Sequence, residues 1–225
     1  DEPTKYQECV EFIKNDPLSK GALVTTHKID IFLSCSDKFD YLDEHAKLMG
    51  EISCVSKDGN KLLGHAKDPI SSELALNRIL PEDYWKEKGG EVLCLGAGGA
   101  AIAILYNLNR LKQNKNHPST IFVTDISKSR LESIQKIYRK FDTNIPIELH
   151  QCPEPKNNDE LTTNLKPHSL IINATGMGKD KPGSPFTYDV QYPQNSIIWE
   201  LNYRGELIFL DQAEAQRYKK NLTIH

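Results

Sequence analysis

The stretch Glu91-Val-Leu-Cys-Leu-Gly-Ala-Gly-Gly-Ala-Ala101 decides how the rest of the chain is read. Four β-prone residues, Val92 to Leu95, run into Gly96-Ala97-Gly98-Gly99-Ala100, and an apolar helical pattern follows at once. That order predicts a strand, a tight turn and a helix N-terminus, the arrangement a dinucleotide pyrophosphate needs. Gly96 lets the chain turn sharply, Gly98 lets the backbone approach phosphates, and Ala101 lets the helix pack close to the strand. The free N–H groups and positive dipole end of the helix would hold the anion. The competing reading is a tight strand–helix connection that holds no ligand.

Outward from this motif the pattern repeats. A helix is expected over 99–111, with Ala101, Ile104, Leu105, Leu108 and Leu111 at helical spacing, then a polar loop at 112–119. Strand 120–124, helix 127–141, and strands at 145–149, 169–173 and 195–201 follow. The alternation argues for a parallel sheet covered on both faces. A last helical stretch after Leu207 ends in Leu222-Thr-Ile224, which reads as one more strand.

Before the motif, the pattern is mixed. Helices are expected over 6–15 and 40–49, and strands near 21–26, 51–55 and 62–66, the last two forming a hairpin about Lys57-Asp-Gly-Asn60. Asp68-Pro69 should open another helix. Pro81 and Gly89-Gly90 mark a boundary. The fold class expected is α/β: a Rossmann-like parallel-sheet domain plus a smaller α/β substrate domain. The divisions expected are 1–85, 86–205, and a C-terminal helix and strand at 206–225 returning toward the first domain.

Bulk properties exclude several classes. The 225 residues suffice for one large domain or two small ones, with 38% hydrophobic and 26% charged residues. A net charge of −3 offers nothing to attract nucleic acid or an anionic membrane. No apolar run is long enough to span a membrane, and no signal peptide is recognisable. Five widely spaced cysteines without a C-x-x-C pair argue against a disulfide framework or zinc site and for a reducing cytoplasm. The seven histidines show no metal-ligand spacing, so no metal is expected. The chain opens at Asp1-Glu-Pro, not at Met, as a processed or trimmed product would.

The residue at the end of the second strand of such a fold selects the dinucleotide. Here it is Asp125, in Val123-Thr-Asp-Ile-Ser127. A carboxylate accepts hydrogen bonds from a ribose diol and repels a 2′-phosphate. Two unit charges about 4 Å apart at an effective dielectric near 20 interact with about 4 kcal/mol. Lys128 and Arg130 oppose that effect. NAD is expected ahead of NADP.

Two earlier segments gain meaning beside this one. Gly21-Ala-Leu-Val-Thr-Thr-His-Lys28 places a lysine just beyond a strand, and Gly64-His-Ala-Lys-Asp68 places a carboxylate at another strand end. With Ile171-Ile-Asn-Ala-Thr-Gly-Met-Gly178 and Glu200-Leu-Asn-Tyr-Arg-Gly205, the chain resembles the shikimate dehydrogenase family. That family carries an N-V-T-x-P-H-K-like segment, then G-x-N-T-D, G-A-G-G-A, I-N-A-T and D/E-x-x-Y, and counterparts of all five occur here in order. The resemblance implies a two-domain oxidoreductase of aromatic amino acid biosynthesis that reduces a ring ketone of a cyclic polyhydroxy acid. It assigns Lys28 and Asp68 as catalytic residues and Thr25, Ser53 and Tyr203 as substrate contacts. Gly96, Ala97, Gly98, Gly99, Ala100, Asp125, Ser127, Asn173, Ala174, Thr175 and Gly176 would bind the cofactor. The chemistry stands on its own: hydride addition builds negative charge on the carbonyl oxygen, and an ammonium stabilises it and supplies a proton. The bland readings are a solvated lysine and a helix-capping aspartate.

Departures from the family pattern are specific. Leu23, Ser53 and Ala66 stand at three asparagine positions, Ser53 within a segment that is G-A-x-N in the family. The proline before H-K is missing. The family's S-x-S segment and its C-terminal closing helix are not found in this sequence, so either a fragment or a reduced protein is expected. A differently decorated substrate follows, and the oligomeric state, monomer or homodimer, stays open. The alternative is a non-catalytic dinucleotide-binding regulatory or scaffold module.

Overall fold

In a computed structural model, the chain is described over residues 2–110, 116–179 and 181–225. The expected last helical residue, Leu111, and the first half of the expected 112–119 loop lie outside the described residues. Contacts divide the chain into two compact units, one ending at Leu74 and one running from Ala75 to His225. The division falls inside a helix, Asp68–Ile79, earlier than the boundary expected near 85.

The first unit contains α1 (Pro3–Asn15), β1 (Gly21–Leu23), α2 (Lys28–Cys35), β2 (Tyr41–Leu42), α3 (Glu44–Met49), β3 (Cys54–Asp58), β4 (Lys61–His65) and the start of α4 (Asp68–Ile79). Its sheet runs β1-β3-β4-β2. The β3–β4 hairpin forms as expected, but Asp58 pairs directly with Lys61. A two-residue Gly59-Asn60 turn therefore sets the register, and β3 lies three residues later than the sequence pattern placed it. Val55 and Leu62 on one face pack with Val10 and Ile13 of α1 and Cys35 of α2. The expected helix over 40–49 begins only at Glu44. Asp43 caps it by accepting the Ala46 N–H at 2.8 Å, which frees Tyr41–Leu42 to pair in parallel with β4.

The second unit contains α5 (Tyr84–Lys88), β5 (Val92–Leu95), α6 (Gly99–Arg110), β6 (Ile121–Asp125), α7 (Lys128–Tyr138), β7 (Ile147–Gln151), α8 (Pro155–Thr163), β8 (Leu170–Asn173), β9 (Ile197–Glu200), α9 (Ile208–Glu214), α10 (Arg217–Lys220) and β10 (Thr223–Ile224). All six strands are parallel, in the order β7-β6-β5-β8-β9-β10. Counted from β5, that is 3-2-1-4-5-6, the doubly wound order that puts a ligand crevice between the first and fourth strands. The four central strand residues of β5, and likewise of β8 and β9, are all buried, as expected for a sheet covered on both faces.

The helix and strand of 206–225 belong to the second unit: Thr223 and Ile224 pair with Ile197 and Ile198 as the sheet's edge. Leu222, Phe209 and Ala213 are buried against Ile198 and Leu93. Apolar burial on this sheet anchors the segment. Among the described residues, no helix is long and apolar enough to cross a membrane, and all five cysteines are free thiols.

Candidate active site

The glycine turn follows β5 with the geometry its sequence demands. Gly96 has φ of 102°, and a Cβ there would lie 2.8 Å from the Ala174 carbonyl oxygen. Only glycine fits this approach between the ends of β5 and β8. A Cβ on Gly98 would instead meet nothing within 4 Å, so the backbone there lies open on the side a ligand would approach. Gly99 opens α6, a helix of 12 residues, and Ala101 in its first turn is fully buried. The first-turn N–H groups of such a helix lack intrahelical partners. The residues thus fit a dinucleotide pyrophosphate on an observation independent of the motif itself.

Asp125 ends β6 and is nearly buried. Its Oδ2 accepts the Ala97 N–H at 2.9 Å and its Oδ1 accepts the Ser127 N–H at 2.8 Å. It ties the glycine turn to the start of α7. Each oxygen keeps a further lone pair, so a ribose diol remains within its acceptor capacity. Ser127 caps α7, while Lys128 and Arg130 are exposed in that helix's first turn.

Across the switch point, Asn173 is fully buried. Its amide donates to Glu200 Oε2 at 2.7 Å, and its Oδ1 accepts from the Thr175 N–H at 3.1 Å and hydroxyl at 2.6 Å. Asn202 then donates to the carbonyls of Thr175 and Met177, both at 3.1 Å. Burial holds the Glu200 carboxyl above its usual range despite these bonds. The network fixes Ala174, Thr175 and Gly176 beside the glycine turn. Asn173 builds the turn, and its side chain is buried within it. Tyr203 is 80% exposed, with the cations of Lys179 and Arg204 at 5.7 and 6.0 Å from its ring centre.

In the first unit, Lys28 lies beyond β1 as the first residue of α2, after His27 in a left-handed conformation with φ of 58°. The Lys28 ammonium forms a hydrogen-bonded ion pair with Asp68 Oδ2. Both side chains are about four-fifths buried, at 19% and 22% exposure. The Lys67 carbonyl accepts the N–H groups of Ile70 and Ser71 that begin α4. The two residues of the pair, 40 apart in sequence, meet as the resemblance implies.

The other first-unit candidates divide. Thr25 is exposed. Ser53 is 2% exposed, and its hydroxyl accepts the Lys67 N–H at 2.7 Å and donates to the His65 carbonyl at 3.4 Å. Its side chain braces β3 against the start of α4 and does not face solvent. Sequence reasoning missed a neighbour of the pair, Glu51. This carboxyl is fully buried and is pushed up to about 7, by burial first and then by the Asp68 charge, with Lys28 opposing.

No family model matches the chain. The shikimate dehydrogenase (NADP(+)) of Aquifex aeolicus is 32% identical over 181 residues, 80% of this chain and 57% of that protein. That of Caldicellulosiruptor saccharolyticus is 27% identical over 220 residues, 96% of this chain and 70% of that protein. The chain is similar in sequence to shikimate dehydrogenases over 80–96% of its length. It spans 57% and 70% of the length of these two relatives. Solved structures agree on the fold: shikimate dehydrogenase from Aquifex aeolicus (TM-score 0.68, 24% identity) and quinate dehydrogenase from Corynebacterium glutamicum in complex with NAD (TM-score 0.68, 18% identity). Each match covers the whole of this shikimate dehydrogenase-like chain and 71% of the other.

Proposed function

We propose that this chain is an NAD(P)-dependent oxidoreductase of the shikimate dehydrogenase type, acting on a ring ketone or ring alcohol of a cyclic polyhydroxy acid. The observation that carries the reading is the Lys28–Asp68 pair, partly buried and hydrogen-bonded. When bound, the nicotinamide dinucleotide supplies or takes the hydride. Lys28 does the rest of the chemistry: its ammonium sits against the carbonyl oxygen, stabilises the charge that develops there, and delivers a proton to it. Asp68 holds that ammonium in place and offers an acceptor to a substrate hydroxyl. A positioned proton donor contributes typically 10²–10⁴-fold.

The domain roles follow. The first unit, with Lys28, Asp68 and Thr25, serves the substrate. The second, with Gly96 to Ala100, Asp125, Ser127 and the turn at Ala174 to Gly176, serves the dinucleotide, and Tyr203 contributes a substrate contact from its β9 end. Ser53 is left out of the substrate contacts because its hydroxyl is occupied within the hairpin. NAD ahead of NADP rests on the Asp125 carboxylate. The named relatives use NADP(+), and Lys128 and Arg130 are the residues that would serve a 2′-phosphate. A reducing, cytoplasmic setting suits five free thiols. Nothing favours the non-catalytic scaffold alternative, since both members of the pair are retained and in contact.

The test is a screen of shikimate, quinate and related cyclic hydroxy acids with NAD and NADP, read as reduced dinucleotide formed. Turnover of at least one such acid is expected. Binding of dinucleotide with no turnover across the panel would contradict the reading.

A further inference from the structure

Glu51 is a costly residue to keep where it is. It is fully buried, and neither carboxyl oxygen has a hydrogen-bond partner among the described residues. Such groups are rare in native interiors, because water's hydrogen bonds are lost and not replaced. Its position is fixed on both sides. Gly50 ends α3 in a left-handed conformation, and the next residue, Ile52, donates its N–H to the Lys28 carbonyl at 3.1 Å. Glu51 therefore sits on the segment that braces the start of α2, and the charges acting on it are those of Asp68 and Lys28. It also occupies the alanine position of the family's G-A-x-N segment, here Gly50-Glu51-Ile52-Ser53.

We propose that Glu51 is a third ionisable member of the Lys28–Asp68 site, a positioning residue that stores a proton and returns it to Lys28. The inference rests on the dehydrogenase reading for its use, but not for its detection. In ketone reduction the hydride goes to the carbonyl carbon. One N–H bond of the Lys28 ammonium breaks and an O–H bond forms, leaving an alcohol and a neutral amine. The O–H bond of the Glu51 carboxyl then breaks and the lysine N–H is remade, leaving an ammonium and a carboxylate. The fully buried carboxylate recovers its proton from solvent by way of the partly exposed Lys28–Asp68 pair. In alcohol oxidation every step reverses. An amine is a stronger base than a carboxylate, so the return of the proton to lysine runs downhill. With no direct hydrogen bond between the two side chains, a water or Asp68 carries the transfer.

Of the other ionisable groups on the adjoining elements, Glu44 and Lys47 of α3 are exposed and His45 is half-buried, and the following are engaged with one another. Asp43, at the cap of α3, lies 3.3 Å from His65 Nδ1 and 3.8 Å from Lys67 Nζ. His65 Nε2 in turn lies 3.4 Å from the Ser56 hydroxyl. On α2, Asp30 pairs with His27 at 3.1 Å. The Lys28–Asp68 pair is thus the partner through which Glu51 acts.

The experiment is a pH titration of the full chain by NMR, following the Glu51 side-chain carboxyl carbon, the Asp68 carboxyl carbon and the Lys28 side-chain nitrogen. No substrate or turnover is needed. The expected result is a Glu51 midpoint near 7, with a step at that same pH in the Lys28 and Asp68 signals. Glu51→Gln, and Glu51→Ala as the residue the family pattern carries, should abolish that step while the other cross-peaks of the first unit persist. A Glu51 midpoint below 5, or Lys28 and Asp68 signals that ignore its titration, would overturn the proposal. Where turnover is found, Glu51→Gln should lower kcat on the order of tenfold, less than a direct proton donor would, and remove the limb of the pH profile near 7. Unchanged kcat and pH profile would also overturn it. Linked titration without any turnover would count against the dehydrogenase reading alone.

Discussion

Replacing Glu51 by glutamine should change how stability depends on pH, and the size of the change follows from burial. The carboxyl is raised from 4.5 to about 7 in the folded chain. At about 1.4 kcal/mol for each factor of ten, the folded state favours the protonated form by roughly 3 kcal/mol. The sign is definite. Between pH 4.5 and 7 the folded chain holds a proton that the unfolded chain releases, so stability falls as pH rises through this window. Glutamine carries no charge at any pH and removes the dependence. Relative to the parent, Glu51→Gln should therefore gain about 3 kcal/mol on going from pH 4.5 to pH 8. The difference cancels every carboxylate and histidine common to both proteins. The assay is urea unfolding at a series of pH values, paired with hydrogen exchange of the β3 and β4 amides to report on this unit. A difference that stays flat within about 0.5 kcal/mol, or that falls with pH, would refute the claim that Glu51 is buried and unpaired.

Further outcomes are equally specific. Gly96→Ala should destabilise the second unit and abolish dinucleotide binding, since the new methyl meets the Ala174 carbonyl oxygen at 2.8 Å; thermal unfolding and cofactor fluorescence check both. Asp125→Ser should move preference from NAD toward NADP, as about 4 kcal/mol of repulsion between a carboxylate and a 2′-phosphate is lifted; competitive titration reads it, and an unchanged ratio would remove Asp125 from that role. Shikimate itself should be turned over poorly, with kcat/KM well below the ordinary 10⁴–10⁵ M⁻¹s⁻¹, because Leu23, Ser53 and Ala66 replace three amides worth about 1–1.5 kcal/mol each; a value in that range would show that other residues hold the ring.

The second unit was the more legible half. A buried parallel strand announces itself as an apolar run, and β5, β6, β8 and β9 all lie within two residues of where the runs are. The glycine turn and Asp125 were readable because one backbone geometry demands those residue types. What was missed has identifiable causes. Helix α8 (Pro155–Thr163) has the sequence PKNNDELTT, with no apolar stripe; it starts because Pro155 suits the first position and the Asn157 side chain accepts the Glu154 N–H at 3.2 Å. Helix α2 hides in Ile29, Ile31 and Phe32, whose β-prone side chains give no helical signal over eight residues. The segment Tyr41–Leu42 pairs as a strand only because β4 lies beside it. At the candidate site, Lys28 and Asp68 came from segment resemblance, since each taken alone reads as an ordinary surface residue. Glu51 offered no periodicity or motif of its own. Its single sequence signal was a carboxyl at an alanine position, and only burial gives that meaning.

The central claim is that Lys28 acts on the reacting oxygen and not on the cofactor. Hydride transfer under single-turnover conditions, with the best acid from the panel and saturating dinucleotide, tests it most directly when Lys28→Ala is compared with the parent. The account predicts a rate at least a hundredfold lower in the variant, with dinucleotide affinity unchanged by direct titration. A variant that transfers hydride within a few-fold of the parent rate, or one whose loss is matched by an equal loss of dinucleotide binding, would contradict it.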